Sequence, residues 1–345
     1  MVVVKANAYG HGFDLTAGAV AAHVDWLGVN SVDEALELAG LDLGKPILIM
    51  GYTPLERLAT VVEHGFRQVV FRRDVVRELG HAAAKMGKAA PVHVKIETGT
   101  NRLGVPWFDL AMFSEELQNT PGVEVEGVYT HFANIEDTLD PSFAMRQLQR
   151  FREALEIVEP LGLRPDLVHA AASAGVLLYP ETHFSMVRVG IGAYGIWPSR
   201  ETRIAARERG REISLRPALT WKSRIAQIKN VTVGEYVGYG LTYQATRTMR
   251  LAVVPVGYYE GYDRKLSSSG RAVVRGQTVA VVGRVAMNMT MFDVTEVEAE
   301  EGDEVVLIGR QGEAEIPAEE IAEKTGTIPY ETLSRIHPSI PRILV

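Results

Sequence analysis

The chain contains no cysteine. Disulfides, thiolate metal sites and thiol nucleophiles are excluded, and the absence suits a reducing compartment, so a cytoplasmic protein is expected. No stretch approaches the ~20 continuous apolar residues of a membrane helix, and the start lacks the basic-then-apolar layout of a secretory signal. Basic clusters are missing as well: the formal charge is −7 with Lys and Arg scattered, which leaves no footprint for nucleic acid or an anionic membrane surface. The partners that remain are a small molecule and another copy of the chain. With 345 residues, 46% hydrophobic and 23% charged, the chain is globular and long enough for two cores at ~150 residues per domain.

Short β-branched runs recur through the first 195 residues, separated by segments of helical periodicity, a pattern of repeated βα units around a parallel sheet. Eight such runs are found: Val2 to Lys5, Trp26 to Asn30, Ile47 to Tyr52, Gln68 to Phe71, Val92 to Glu97, Val123 to His131, Leu167 to Ala170 and Met186 to Ile191. Eight repeats predict a closed (β/α)8 barrel of the TIM type over residues 1–199. From Trp197 to Glu212 the pattern breaks into Pro, Ser and charged residues and reads as a solvated linker. Residues 200–345 then read as a mostly-β domain, with strands at Leu219 to Ile228, Arg250 to Val256, Gly270 to Val282 and Asp303 to Ile308, and helices at Ala318 to Lys324 and Tyr330 to Ile336.

In such a barrel the chemistry sits at the C-terminal strand ends, where the βα loops converge. Lys5 closes the first run and precedes Ala-Asn-Ala-Tyr-Gly-His-Gly, small residues that allow close backbone approach to a ligand. Desolvation there lowers an amine's pKa toward its nucleophilic form. By position alone, Lys5 is either a Schiff-base lysine or a residue marking the strand's exit into solvent. The whole string Val4-Lys5-Ala6-Asn7-Ala8-Tyr9-Gly10-His11-Gly12 resembles the cofactor-lysine motif of the alanine racemase family. The resemblance continues in order through Lys95-Ile-Glu-Thr-Gly-Thr-Asn-Arg102, Tyr129-Thr-His131, His169-Ala-Ala-Ala-Ser173, Val187-Arg188-Val-Gly190-Ile191, Tyr239-Gly-Leu-Thr-Tyr, Gly257-Tyr258, Val282-Gly-Arg284-Val-Ala-Met287 and Pro341-Arg-Ile.

The resemblance implies an isomerase that interconverts L- and D-alanine with pyridoxal 5'-phosphate, supplying D-alanine for peptidoglycan. Lys5 would carry the cofactor and serve as one base, and Tyr239 would be the second, on the opposite face of the substrate. Ser173, Gly190, Ile191 and Tyr9 would hold the phosphate, although a turn serine and a packing glycine are equally ordinary readings of the first two. Arg188 would face the pyridine nitrogen, donating a hydrogen bond without giving up a proton. Arg102 would meet the phenolic oxygen and the substrate carboxylate, and His131 would pack beside the cofactor. Lys95 matches a position carbamylated in many relatives, and Tyr258 and Met287 would line the substrate entrance. No metal is implied. The family's homodimer shares its sites, the second domain of each subunit completing the barrel site of its partner.

Family members carry a further strand and helix before the lysine, so an upstream segment is expected beyond Met1. Four departures from the pattern stand out: Ala172 replaces Asn, Ala286 and Asn288 replace Cys and Asp, and His337-Pro338 replaces Ser-Tyr. The alternatives are a racemase of broader or different specificity on the same fold and a non-catalytic cofactor-binding barrel.

Overall fold

The computed structural model describes residues 1–163 and 165–345 and divides into two compact units. The first comprises Met1–Ala8 and Phe13–Arg216, the second Tyr9–Gly12 and Pro217–Val345. In the first unit, seven parallel strands pair in sequence order: β1 (Val2–Val3), β2 (Leu27–Val29), β3 (Ile47–Ile49), β4 (Arg67–Val70), β5 (Ala90–Lys95), β6 (Val123–Tyr129) and β7 (Leu167–His169). Helices α1 (Phe13–Ala21), α2 (Val32–Ala39), α3 (Leu58–Glu63), α4 (Arg73–Met86), α5 (Leu110–Gln118), α6 (Ser142–Val158) and α7 (Ser173–Leu178) follow them in turn. Each strand lies between a helix and the barrel interior, which is why β2 and β3 are apolar at every position and wholly buried. The helices are one-sided, as α4 shows: Val75, Val76, Leu79, Ala82 and Ala83 are buried, and Gly87 ends it in the left-handed conformation (φ 61°).

The eighth predicted strand, Met186 to Ile191, is not a regular strand. Met186 N donates to Val168 O and Arg188 N to Ala171 O on one side, while Val3 N donates to Val189 O and Val189 N to Met1 O on the other. The jump from Val168 to Ala171 breaks the even spacing of a parallel ladder, so only one bridge forms, Val2 with Val189. The segment still joins β7 to β1 and closes the TIM-type barrel. The stretch read as a linker holds a helix, α8 (Arg200–Glu208), capped by the Ser199 hydroxyl, which accepts from Thr202 N at 3.0 Å. It belongs to the first unit, so the division falls after Arg216, some way beyond the expected 199/200 boundary.

The second unit is mostly β, in two antiparallel arrangements. One is the three-stranded sheet of β9 (Gln227–Val231), β10 (Met249–Val254) and β13 (Thr290–Asp293), with β10 central; the other runs β12 (Gln277–Ala280), β11 (Arg271–Val274), β14 (Glu304–Gln311), β15 (Ala314–Ile316), with β8 (Trp221–Arg224) also on β14. Arg275 (φ 49°) and Gly276 (φ 74°) make the two-residue turn of the β11–β12 hairpin, the left-handed pair that matches strand twist. Helices α9 (Ala318–Thr325) and α10 (Pro329–Ser334) complete it. Strands β13 and β15 were not anticipated. They are short edge strands, held by pairing with β10 and β14 rather than by propensity.

The barrel interior is polar where the strands meet. His93 on β5 is fully buried, and a Cβ on Gly127 of β6 would lie 2.4 Å from its Nδ1. The ring cannot retreat, so Gly127→Ala should destabilise the chain by about 1–3 kcal/mol through overpacking, a drop in Tm that thermal unfolding would read directly.

Candidate active site

Lys5 emerges from the end of β1 into an unusual turn. Ala6, Asn7, Ala8 and Tyr9 all have φ between 52° and 55°, a left-handed turn built without glycine. Left-handed backbone costs an L-residue roughly 1–2 kcal/mol, so the turn persists only because its surroundings hold it. The Lys5 amine is pulled below its ordinary range by burial and then by the Arg102 guanidinium, with Glu34 acting the other way.

Around Lys5 the first unit gathers four cationic side chains about one neutral ring. His131 is pushed down to about 3 by burial and by the charges of Arg188, Arg102, Lys95 and Lys5, so it is an uncharged imidazole at neutral pH. Lys95 falls to about 8 through burial and its arginine neighbours, Arg102 first. Its Nζ lies 5.6 Å from the Tyr129 ring centre, and the Arg188 guanidinium 4.9 Å from the same ring. Burial raises the Tyr129 phenol well above its usual range, so the ring's π-face, not a phenolate, meets these cations.

Arg188 is the centre of this arrangement. It is 3% exposed, and no carboxylate among the described residues pairs with it. Its Nη2 donates to Thr130 O and Ala170 O, both at 2.9 Å, and approaches His131 Nδ1 at 3.3 Å. Its Nη1 meets His169 Nδ1 at 2.8 Å. Burial lowers its pKa to about 10, which leaves it ionised near neutrality.

An arginine can only donate, so His169 Nδ1 must accept. Burial, and then Arg188, hold His169 far below its ordinary range, so the ring is neutral and its proton sits on Nε2. That nitrogen lies 2.8 Å from His93 Nδ1, which must accept in turn. His93 Nε2 then faces Glu126 Oε2 at 3.5 Å, an ion-pair distance too long for a good hydrogen bond. Glu126 is gripped by Arg67 through contacts of 2.9 and 3.2 Å. Burial would raise its carboxyl, but His93 and Arg67 together hold it at about 2. A chain of polar groups thus crosses the barrel interior from Arg67 to Arg188. His93, His169 and Glu126 were not singled out from the sequence as site residues. The signal available was the alternation on β5, where His93 and Lys95 occupy the same side of the strand.

Ser173 opens α7, and its Oγ accepts from Gly190 N and Gly192 N, both at 3.1 Å, so Ser173, Gly190 and Ile191 form one loop cluster. A Cβ on Gly192 would stand 3.3 Å from that oxygen, so the glycine lets its backbone close on the buried hydroxyl.

The remaining candidates lie in the second unit. Tyr9 packs near Tyr330, ring centres 6.1 Å apart, and burial pushes its phenol up to about 12. Tyr239 starts a tight turn between Gly238 (φ 75°) and Gly240 (φ 71°), and a Cβ on Gly240 would lie 3.0 Å from the Arg284 guanidinium carbon. Arg284, to which the sequence assigned no role, therefore underlies the Tyr239 turn. Tyr258 N donates to Ala286 O and Tyr259 N to Met287 O. A Cβ on Gly257 would come within 2.2 Å of Ala286 O, so the Gly257-Tyr258 pair needs glycine to join the segment carrying Met287.

The fit to a pyridoxal cofactor can be judged on these donors. A depressed lysine amine suits an aldehyde carbon, and a buried arginine without a carboxylate suits a neutral acceptor such as a pyridine nitrogen. The residues fit the group.

A cation-rich cluster around Lys5 in a βα barrel, with a mostly-β domain following, is the arrangement of a two-domain barrel enzyme. Residues 1–198 match the family model described as the N-terminal domain of alanine racemase and residues 218–344 that of its C-terminal domain. The chain belongs to the alanine racemase family, a family of isomerases. It is 42% identical to an alanine racemase of Leptospira interrogans serogroup Icterohaemorrhagiae, over 99% of this chain and 88% of that protein. Alanine racemase 2 of Caldanaerobacter subterraneus subsp. tengcongensis is 41% identical, over 100% of this chain and 88% of the relative. Among solved structures, alanine racemase from D-cycloserine-producing Streptomyces lavendulae superposes with a TM-score of 0.92 at 35% identity, covering 99% of this chain and 89% of that one. The Bacillus anthracis enzyme with bound L-Ala-P gives 0.91 at 35% identity, covering 97% and 85%.

The polar chain across the barrel makes two predictions. Nitrogen-15 NMR should find both His93 and His169 neutral with the proton on Nε2; an imidazolium or an Nδ1–H ring at either position would contradict the donor order from Arg188. The depressed Glu126 carboxyl contributes stability that is complete above about pH 4.5 and lost as pH falls toward about 2. Glu126→Gln should therefore flatten the fall of Tm across that window relative to the parent chain.

Proposed function

We propose that this chain interconverts L- and D-alanine with pyridoxal 5'-phosphate, the D-alanine serving peptidoglycan synthesis. The observation that carries the reading is Arg188, a buried cation with no carboxylate partner among the described residues, set among the same charges that surround Lys5. When bound, the cofactor supplies the electron sink that makes an amino acid's α-proton labile. Lys5 Nζ would attach it, Arg188 would donate to its ring nitrogen without losing a proton, and Ser173 with the Gly190 and Ile191 backbone, aided by Tyr9, would hold its phosphate.

An arginine at the ring nitrogen keeps that nitrogen unprotonated, which limits the electron sink and favours return of the proton over side reactions. Arg102 would hold the substrate carboxylate by its planar fork, with Lys95, carbamylated or not, setting the local charge beside it. Lys5 Nζ removes or returns the α-proton on one face, and the Tyr239 hydroxyl does the same on the other. Tyr258 and Met287 would narrow the entrance.

The two bases are proposed to come from different copies of the chain. Tyr239 is 74% exposed, and so are the nearby Leu241, at 66%, and, elsewhere in the second unit, Met287, at 54%. A base this open to water needs a covering surface, and a second copy arranged with twofold symmetry would supply it twice over, building two identical sites.

Two experiments test the reading. Lys5→Ala should abolish the visible absorbance of bound cofactor, and borohydride reduction of the parent chain should leave the cofactor on Lys5; label on another lysine would remove the assignment. Mixing inactive Lys5→Ala and Tyr239→Phe chains under subunit exchange should restore activity, because one site of each mixed dimer then receives an intact Lys5 and an intact Tyr239. A mixture as inactive as its parents, with exchange confirmed by mass, would show that each chain builds its own site.

A further inference from the structure

The left-handed turn after Lys5 is held by bonds from several parts of the chain. Ala8 N donates to Val4 O at 2.9 Å, and Phe13 N donates to Asn7 Oδ1 at 2.8 Å. The third is of a different kind: Ala6 N donates to Glu34 Oε1 at 2.7 Å, across 28 residues of sequence. Glu34 is the third residue of α2 and closes its capping box with Ser31. Its second oxygen, Oε2, accepts from Asn30 N at 2.7 Å and Ser31 N at 3.3 Å. Asn30 is fixed in turn, since its carbonyl accepts from Gly51 N at 3.0 Å and a Cβ on Gly51 would meet that oxygen at 2.2 Å. An ordinary capping glutamate needs one oxygen for the cap. This one uses the other to bind the residue next to Lys5.

We propose that Glu34 is a positioning residue for Lys5: one carboxylate ties the Ala6 amide to the loop after β2, holds four left-handed residues in place and so fixes where the Lys5 amine is delivered. The proposal rests on the reading of Lys5 as the cofactor lysine. It also has an electrostatic side. The titratable groups that act on Lys5 are Arg102, Lys95, the neutral His131 and Glu34, and Glu34 alone among them is acidic. Removing its charge leaves the amine beside Arg102 and Lys95 without an opposing carboxylate, which lowers its proton affinity. A charge-assisted bond to a backbone N–H is also stronger than a neutral one, so the carboxylate suits a turn that would otherwise relax.

Glu34→Gln and Glu34→Ala in the full chain, loaded with pyridoxal phosphate, separate these effects. Gln keeps one acceptor oxygen for three backbone N–H groups, whereas Ala keeps none. Amide exchange at Ala6 should accelerate at least tenfold in Glu34→Ala and less in Glu34→Gln. The pH midpoint of the visible absorbance of lysine-linked cofactor should move down in both, and kcat should fall on the order of 10–100-fold with KM changed less. Unchanged Ala6 exchange together with an unchanged midpoint would overturn the proposal. So would a loss of activity with a parental midpoint, the mark of a merely structural cap. If Glu34→Ala fails to fold, Glu34→Gln decides on the same two readouts. Failure of the parent chain to carry cofactor on Lys5 would sink the proposed function instead, and exchange at Ala6 would still report on the clamp.

Discussion

A buried cation with no carboxylate beside it among the described residues constrains everything that touches it, and in this chain that cation is Arg188. Desolvation of an unpaired charge is expensive, and the barrel offsets it with oriented neutral dipoles: two carbonyls, two imidazole nitrogens and the face of Tyr129. Each of these must then be an acceptor. His131 and His169 must be neutral, His169 must carry its proton on the far nitrogen, and His93 must repeat that choice one step deeper. The first acidic group along this path is Glu126, pinned by Arg67. The negative charge that would ordinarily sit beside an arginine has been moved to the far end of two rings. Arg188 therefore keeps donor capacity for a ligand that a direct carboxylate would have consumed.

The same logic explains the depressed lysines. Burial and neighbouring guanidinium groups lower both Lys5 and Lys95, so a cluster that would be mutually repulsive as four full charges near one ring is relieved by amines that release protons most readily. Cationic density thus lowers the proton affinity of both amines. Stability and chemistry conflict at this point, and the left-handed turn beside Lys5 is a second instance of that conflict.

How much of this was legible in the sequence varies with the physics involved. Buried parallel strands demand β-branched runs and intervening amphipathic helices, so seven strands and their helices could be read from pattern. The Met186 to Ile191 run has the same composition, but its hydrogen-bond spacing is set by the neighbouring strand ends, which no local pattern reports. Charged composition between Trp197 and Glu212 suggested a linker, yet Ala205 and Ala206 give α8 a buried side that a charge count conceals. Lys5, Lys95, Arg102, His131 and Arg188 lie in the first unit, while Tyr239, Tyr258 and Met287 lie in the second. Glu34, Glu126 and the buried histidine pair escaped notice because a glutamate near a helix start and a histidine within a strand have ordinary explanations. Their roles exist only through partners 19 to 76 residues away.

The departures from the family pattern acquire physical content in the same way. Asn288 donates from Nδ2 to Glu260 Oε1 at 2.6 Å, and Glu260 Oε2 accepts from Gly257 N at 2.8 Å. A carboxylate at position 288 would face Glu260 with like charge, so an amide there is the side chain compatible with this local network. His337 stacks on Tyr259 with ring centres 4.7 Å apart, and its backbone N–H donates to Glu260 O. Glu260 thus links both departures to the Gly257-Tyr258 pair, although positions 288 and 337 are far apart in the chain. Asn288 reaches Glu260 through its side chain, whereas His337 reaches it through its main chain and adds a ring on Tyr259, so of the two departures only the one at 288 changes a bond to the Glu260 carboxylate.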